Sequence, residues 1–206
     1  MTRILANLAV VLLVLGSTSS ARATMDDDFF NFRTRQQQPM MQRGYPNYGP
    51  GSDYFGGGGG GPIARERVAA PVSLAPGSIY ISTSERRLYL ILGNGEALRY
   101  GIGVGRDGFR WTGTHHISAK REWPGWTPPA EMRARRPDLP RYMAGGIENP
   151  LGARALYLGS SLYRIHGSNE PETIGHAVSS GCFRMTNEDV VDLYNRVSVG
   201  TLVVVR

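Results

Sequence analysis

Cys182 is the one cysteine in 206 residues. It lies in Ser179-Ser180-Gly181-Cys182-Phe183-Arg184-Met185, sixteen positions after His166 in Tyr163-Arg164-Ile165-His166-Gly167. A thiol attacks carbonyl carbon as its thiolate, so it needs a base or a positive field beside it. One cysteine with a histidine elsewhere in the chain is the sequence form of a nucleophile and its base. His166 closes a predicted strand and Cys182 opens the segment leading into a predicted helix. Such ends are where a rigid scaffold delivers side chains into a cleft. This reading requires sulfur and imidazole to come within direct proton-passing contact in the folded chain. The bland alternative is that Cys182 is a small apolar filler.

Three other histidines compete for the role of base. His176 falls in the loop 169–180, where it lines substrate or is solvated. His115 and His116 are adjacent on a predicted strand, so their side chains face opposite ways and make a poor ligand pair. Gly181 has no Cβ, which allows close approach of substrate or backbone, and successive main-chain N–H groups there are able to face a developing oxyanion. Arg184 either holds a substrate carboxylate through its planar fork or braces the loop internally. No histidine or cysteine pair has zinc-ligand spacing. The glycine-spaced run Gly101 to Gly108 resembles a dinucleotide loop, but Phe109 to Thr114 carries no helical period after it, so no cofactor is expected.

The elements that must position these groups are mostly short strands. Ser78 to Ser82 alternates, Arg87 to Leu92 is apolar, and Gly93-Asn94-Gly95 before Ala97 to Tyr100 signals a hairpin. Thr112 to Ala119 alternates again, and Ala155 to Leu158 with Leu162 to His166 predicts a second hairpin. Residues 121–150, with Trp123, Trp126 and several prolines, read as a long ordered excursion with a short helix near Ala130–Arg135. Thr186 reads as an N-cap with Asp189 at the capping-box position, and Val190, Leu193, Tyr194 and Val197 fall on one helical face. Thr201 to Val205 is a closing strand. The fold class expected is mainly β, sandwich- or barrel-like, with one short helix after the cysteine.

The first 23 residues read as a secretory signal peptide. Arg3 gives a basic start, Ile4 to Leu15 an apolar stretch shorter than the roughly 20 residues a spanning helix needs, and Ala21-Arg22-Ala23 a cleavage site. No stable membrane span is expected after cleavage, and the destination is the periplasm or cell envelope. An oxidising compartment favours paired cysteines, so an exported lone thiol suggests use. Residues 24–76, rich in Gly, Pro and Gln, read as a disordered tether, and 77–206 as the catalytic domain. Without Arg3 and Arg22, the 23 basic residues fall to 21 against 17 acidic, a net +4. That balance is mild, and no nucleic-acid motif accompanies it.

Ile165-His166-Gly167, Ile174-Gly175 and Ser179 to Met185 together resemble the signature of L,D-transpeptidase catalytic domains (YkuD-like, ErfK/YbiS/YcfS/YnhG group). Gly103-Val104-Gly105, Thr112-Gly113-Thr114 and Asn149-Pro150-Leu151-Gly152 match the same pattern, and the resemblance covers about Gly77 to Arg206. It implies a β-rich enzyme of the cell envelope acting on peptidoglycan stem peptides, without metal or cofactor. Cys182 is then the nucleophile, His166 the base, and Gly167 orients His166 through its carbonyl. Gly181, Ser180, Arg184 and His176 would line the substrate or oxyanion site. Many members carry histidine where Ser180 stands, which removes one auxiliary donor here. The resemblance implies a thioester on Cys182, resolved by an amine to form a cross-link or to attach an envelope protein to the wall. Two alternatives stand beside it. One is an envelope cysteine peptidase of L,D-carboxypeptidase or amidase type, with water as acceptor. The other is a wall-binding module without catalysis.

Overall fold

The structure, a computed structural model, describes residues 63–206, all within the unit Gly44–Arg206. The expected signal peptide and the tether up to residue 62 lie outside the described residues. The described elements run β1 (Glu66–Ala69), β2 (Ile79–Ser82), β3 (Arg87–Gly93), β4 (Glu96–Gly101), β5 (Val104–Gly105), β6 (Gly113–Glu122), α1 (Ala130–Arg135) and β7 (Arg154–Leu158). They continue with β8 (Arg164–His166), β9 (Ala177–Ser179), β10 (Phe183–Arg184), α2 (Asn187–Arg196) and β11 (Leu202–Val205).

Strand β3 explains its own apolar run. Leu88 and Leu90 join the main core, while Tyr89 and Ile91 on the opposite face pack with Ala97, Val68, Val72 and Leu74. Both faces are covered, so no polar alternation is needed. This corrects the sequence-based boundary at residue 77. Residues 66–69 are a strand paired with β4, and Val68, Ala70, Val72 and Leu74 cover the outer face of the hairpin. Their alternate spacing was the local signal that this stretch belongs to the domain.

Among the described residues the strands form one nine-stranded sheet, in order β1-β4-β3-β2-β11-β6-β7-β8-β10, and a small β5-β9 pair. Strand β6 joins the two halves of the large sheet. Residues Gly113 to His116 pair with β11, and Ile117 to Glu122 pair with β7, with a register shift between Ile117 and Ala119. A bulge increases local twist and bends the strand, so the two halves share one core. Ile79, Ile81 and Leu88 from one half meet Leu156, Leu158, Ile165 and Phe183 from the other. Helix α2 closes the core with Val190 and Leu193, and Thr186 caps it by accepting the Asp189 N–H at 3.1 Å.

The excursion beyond β6 is pinned at its neck. Trp126 and Met143 exchange main-chain hydrogen bonds of 2.8 Å. The buried Asn149 donates through Nδ2 to the carbonyls of Met143 and Ala144 and accepts the Leu151 N–H. Helix α1 contributes no buried residue. Among the described residues no helix is long and apolar enough to cross a membrane.

Candidate active site

Strands β8 and β10 run parallel, with Ile165 opposite Phe183 and His166 opposite Arg184. Cys182 precedes this ladder by one residue and so lies level with Arg164. Side chains alternate along a strand, so Arg164, His166, Cys182 and Arg184 share one face. A two-residue offset across neighbouring strands separates the Cα atoms of His166 and Cys182 by on the order of 8 Å. Side chains of this size can meet over that gap.

His166 is buried, and its Nδ1–H donates to the carbonyl of Gly167 at 2.6 Å. The carbonyl can only accept, so the proton sits on Nδ1 and Nε2 keeps its lone pair. Gly167 has room for this only because it lacks a side chain. A Cβ there would strike the Asn187 side-chain oxygen, which accepts the Ala153 N–H at 2.9 Å. Burial, then the charge of Arg184, press the His166 pKa down to about 3, against the pull of the Gly167 hydrogen bond. The ring is a neutral acceptor at neutral pH.

Cys182 is a half-buried free thiol. Burial pushes its pKa up, while Arg164 opposes this through its charge, its main-chain N–H and its side chain, and Arg184 through its charge. Thiol and imidazole therefore both rest neutral. The Sγ–H points to the carbonyl of Leu162, 3.9 Å away. The direct thiol–imidazole hydrogen bond expected from sequence is not formed at rest. A neutral thiol takes the carbonyl beside it, and catalytic contacts commonly tighten only around substrate.

The loop carrying the thiol is clamped from several sides. Ser179 Oγ donates to the Cys182 carbonyl at 2.5 Å and accepts the Gly181 N–H at 3.1 Å. Trp111 donates from Nε1 to the Gly181 carbonyl at 2.8 Å. Its ring stacks on Tyr163 at 4.5 Å and leans on Phe183 at 5.4 Å. Gly181 has φ of +105°, and a Cβ on it would lie 2.5 Å from the Tyr163 ring, so this position needs glycine.

The sequence matches the YkuD family, described as the L,D-transpeptidase catalytic domain, over residues 76–205. The chain belongs to that family. The probable L,D-transpeptidase YbiS of Escherichia coli K12 is 38% identical over 164 residues, covering 75% of this chain and 52% of the relative. The probable L,D-transpeptidase YcfS of the same strain is 37% identical over 135 residues, covering 61% of this chain and 42% of the relative. The chain thus spans about half the length of the curated relatives it matches. An NMR structure of the catalytic domain of an E. faecium L,D-transpeptidase, acylated by ertapenem, superposes with a TM-score of 0.50 at 18% identity. That superposition covers 66% of this chain and 100% of the other, and it shows the shared fold.

Within this L,D-transpeptidase domain the other sequence-predicted residues separate. Gly181 lies beside the thiol, and of the successive amides the sequence offered to an oxyanion its own N–H is engaged by Ser179 Oγ. Arg184 is buried and bonds Glu170 at 2.9 Å and Thr173 Oγ1 at 3.2 Å. It braces the loop after β8, the internal one of the two roles the sequence left open. His176 has an exposed side chain, and its main chain ties the loop to Val104 and Thr173. Ser180 Oγ is buried without a hydrogen-bond partner among the described residues. His115 stands edge-on to Trp111, with ring centres 5.2 Å apart. Sequence reasoning missed Ser179, Trp111, Tyr163 and Arg164. For Arg164 a signal existed, since a residue two before a strand-borne histidine shares its face. Trp111 carries no local signal, because its partner is seventy positions away.

Proposed function

We propose that this chain is an exported L,D-transpeptidase that forms a thioester on Cys182 with peptidoglycan stem peptides. The observation that carries the reading is the committed tautomer of His166. Its Nδ1–H is held by Gly167, which leaves Nε2 as acceptor on the strand next to the chain's one thiol. In the first step the Sγ proton passes to Nε2, and the sulfur electron pair forms a C–S bond to the carbonyl carbon of the diaminopimelate residue in a tetrapeptide stem. The carbonyl π pair moves to oxygen, where the Cys182 main-chain N–H, in place of that of Gly181, and the Ser180 hydroxyl are the proposed donors. Collapse of this intermediate breaks the C–N bond, and the departing D-alanine amine takes the proton from Nε2. An amine acceptor then attacks the thioester, giving Nε2 a proton, the C–S bond breaks, and the departing thiolate takes that proton back from Nε2 to recover the thiol. The acceptor is a second stem or an envelope protein, and the site of action is the periplasmic wall.

The test is intact-mass measurement of the full chain after incubation with stem tetrapeptide, alongside Cys182→Ala. The expected result is a covalent adduct with release of D-alanine, absent from the variant. No adduct and no D-alanine would refute the reading. Products limited to shortened monomers would assign water as the acceptor.

A further inference from the structure

Two arginines share the face that carries Cys182 and His166, and they are not equivalent. Arg184 on β10 has a carboxylate partner, Glu170, at 2.9 Å. Arg164 on β8 makes no ion pair with a carboxylate among the described residues. Its Nε is buried with no hydrogen-bond partner among them. Its Nη1 donates to the Leu162 carbonyl at 3.1 Å, the same oxygen toward which the Cys182 thiol points at 3.9 Å. The guanidinium also lies over the Tyr157 ring, 5.0 Å from its centre. That contact steadies the charged plane without neutralising it.

We propose that Arg164 is the cation that receives the negative charge of the Cys182 sulfur when the thiol gives up its proton, a role that rests on reading Cys182 as the nucleophile. Two neutral groups become an ion pair in that step: the proton moves from Sγ to Nε2, and the sulfur keeps the electron pair. Arg164 exchanges no proton, because a guanidinium stays charged. When the thiol loses its proton, its hold on the Leu162 carbonyl disappears, and the arginine beside that carbonyl is left facing an anion.

The charged and titratable groups around the sulfur are Arg164 and His166 from β8, and Arg184 from β10 with Glu170 as its counter-ion. Arg164 acts on the sulfur by charge, main-chain N–H and side chain, whereas it reaches the His166 ring by charge alone, as the smallest of the influences there. The same arginine therefore favours the thiolate in three ways and opposes the imidazolium by charge alone. A merely structural Arg164 would not move the ionisation of the thiol.

The chain holds one cysteine, so alkylation of the full chain by iodoacetamide, followed by intact mass across a pH series, reads Cys182 alone and needs no peptide substrate. The midpoint of the rate profile reports thiol ionisation, and the plateau at high pH reports access. Arg164→Met is expected to raise the midpoint by about one unit, slowing alkylation about tenfold near neutral pH with the plateau retained. Arg164→Lys keeps the charge and the stem but loses the fork, and is expected to slow it about threefold. An unmoved midpoint in Arg164→Met, or a change confined to the plateau, would overturn the proposal. Should Arg164→Met fail to fold, Arg164→Gln removes the same charge, and an unmoved midpoint there would overturn it instead. Wild-type chain that shows this arginine dependence yet forms no thioester with tetrapeptide would refute the transpeptidase reading and leave Arg164 in its role. Thioester formation with no arginine dependence would do the reverse.

Discussion

Acidification titrates two buried groups of this fold with opposite consequences for stability. His166 has its pKa pressed from 6.5 to about 3, chiefly by burial and then by the charge of Arg184. The unfolded chain presents an ordinary imidazole, so below about pH 6.5 it binds a proton that the native ring refuses. Stability is whole above that pH and drains away as pH falls toward about 3. At 1.36 kcal/mol per unit, moving from neutral to about pH 4.5 removes about 2.7 kcal/mol. Asp189, at the start of α2, behaves in the opposite sense. Its carboxyl is fully buried with Oδ2 unpartnered, and desolvation raises its pKa from 3.8 to about 6 against the pull of Arg65 and Thr186. Here the native state binds the proton first, so stability rises as pH falls through about 6, recovering about 2 kcal/mol by about pH 4.5.

The two effects nearly cancel in the wild type, and single variants separate them. Urea unfolding followed by tryptophan fluorescence, at about pH 7 and about pH 4.5, gives the stability change for each protein. Relative to wild type over that interval, His166→Gln is expected to gain about 2–3 kcal/mol and Asp189→Asn to lose about 2 kcal/mol. Other carboxylates titrate alike in all three proteins and drop out of the comparison. Three parallel responses, within about 0.5 kcal/mol of one another, would refute the claim that either group is perturbed by burial.

Gly181→Ala is expected to cost about 1–2 kcal/mol for its positive φ and a further 1–3 kcal/mol or so for the contact with Tyr163. In a double-mutant cycle Tyr163→Ala should recover only the second part, and wild-type unfolding and alkylation in Gly181→Ala alone would count against the clamp. Trp111→Phe keeps an aromatic ring on Tyr163 but leaves the Gly181 carbonyl without its donor, at about 1 kcal/mol. The measurable outcome is a severalfold slower D-alanine release with little change in KM, and an unchanged rate would dismiss Trp111 as a positioning residue.

Much of this protein is written locally in its chain. The Asn94-Gly95 turn, with φ of 51° and 74°, and the Thr186 cap are settled within a few residues, so their composition announces them. The one cysteine and the histidine that closes β8 are equally visible, because the chemistry open to a thiol and an imidazole is set by side-chain type. Tertiary structure alone decided the rest. It turned the thiol toward Leu162, gave Arg184 to Glu170 and left Arg164 beside the sulfur. It also spent the Gly181 amide on Ser179 and drew Val68 to Leu74 into the domain. These outcomes depend on burial and on which donors, acceptors and charges long-range packing brings together, as when Trp111 reaches Gly181 or Arg65 reaches Asp189. A residue type carries its possible chemistry in the sequence, but the partner that selects one possibility arrives only when distant strands meet.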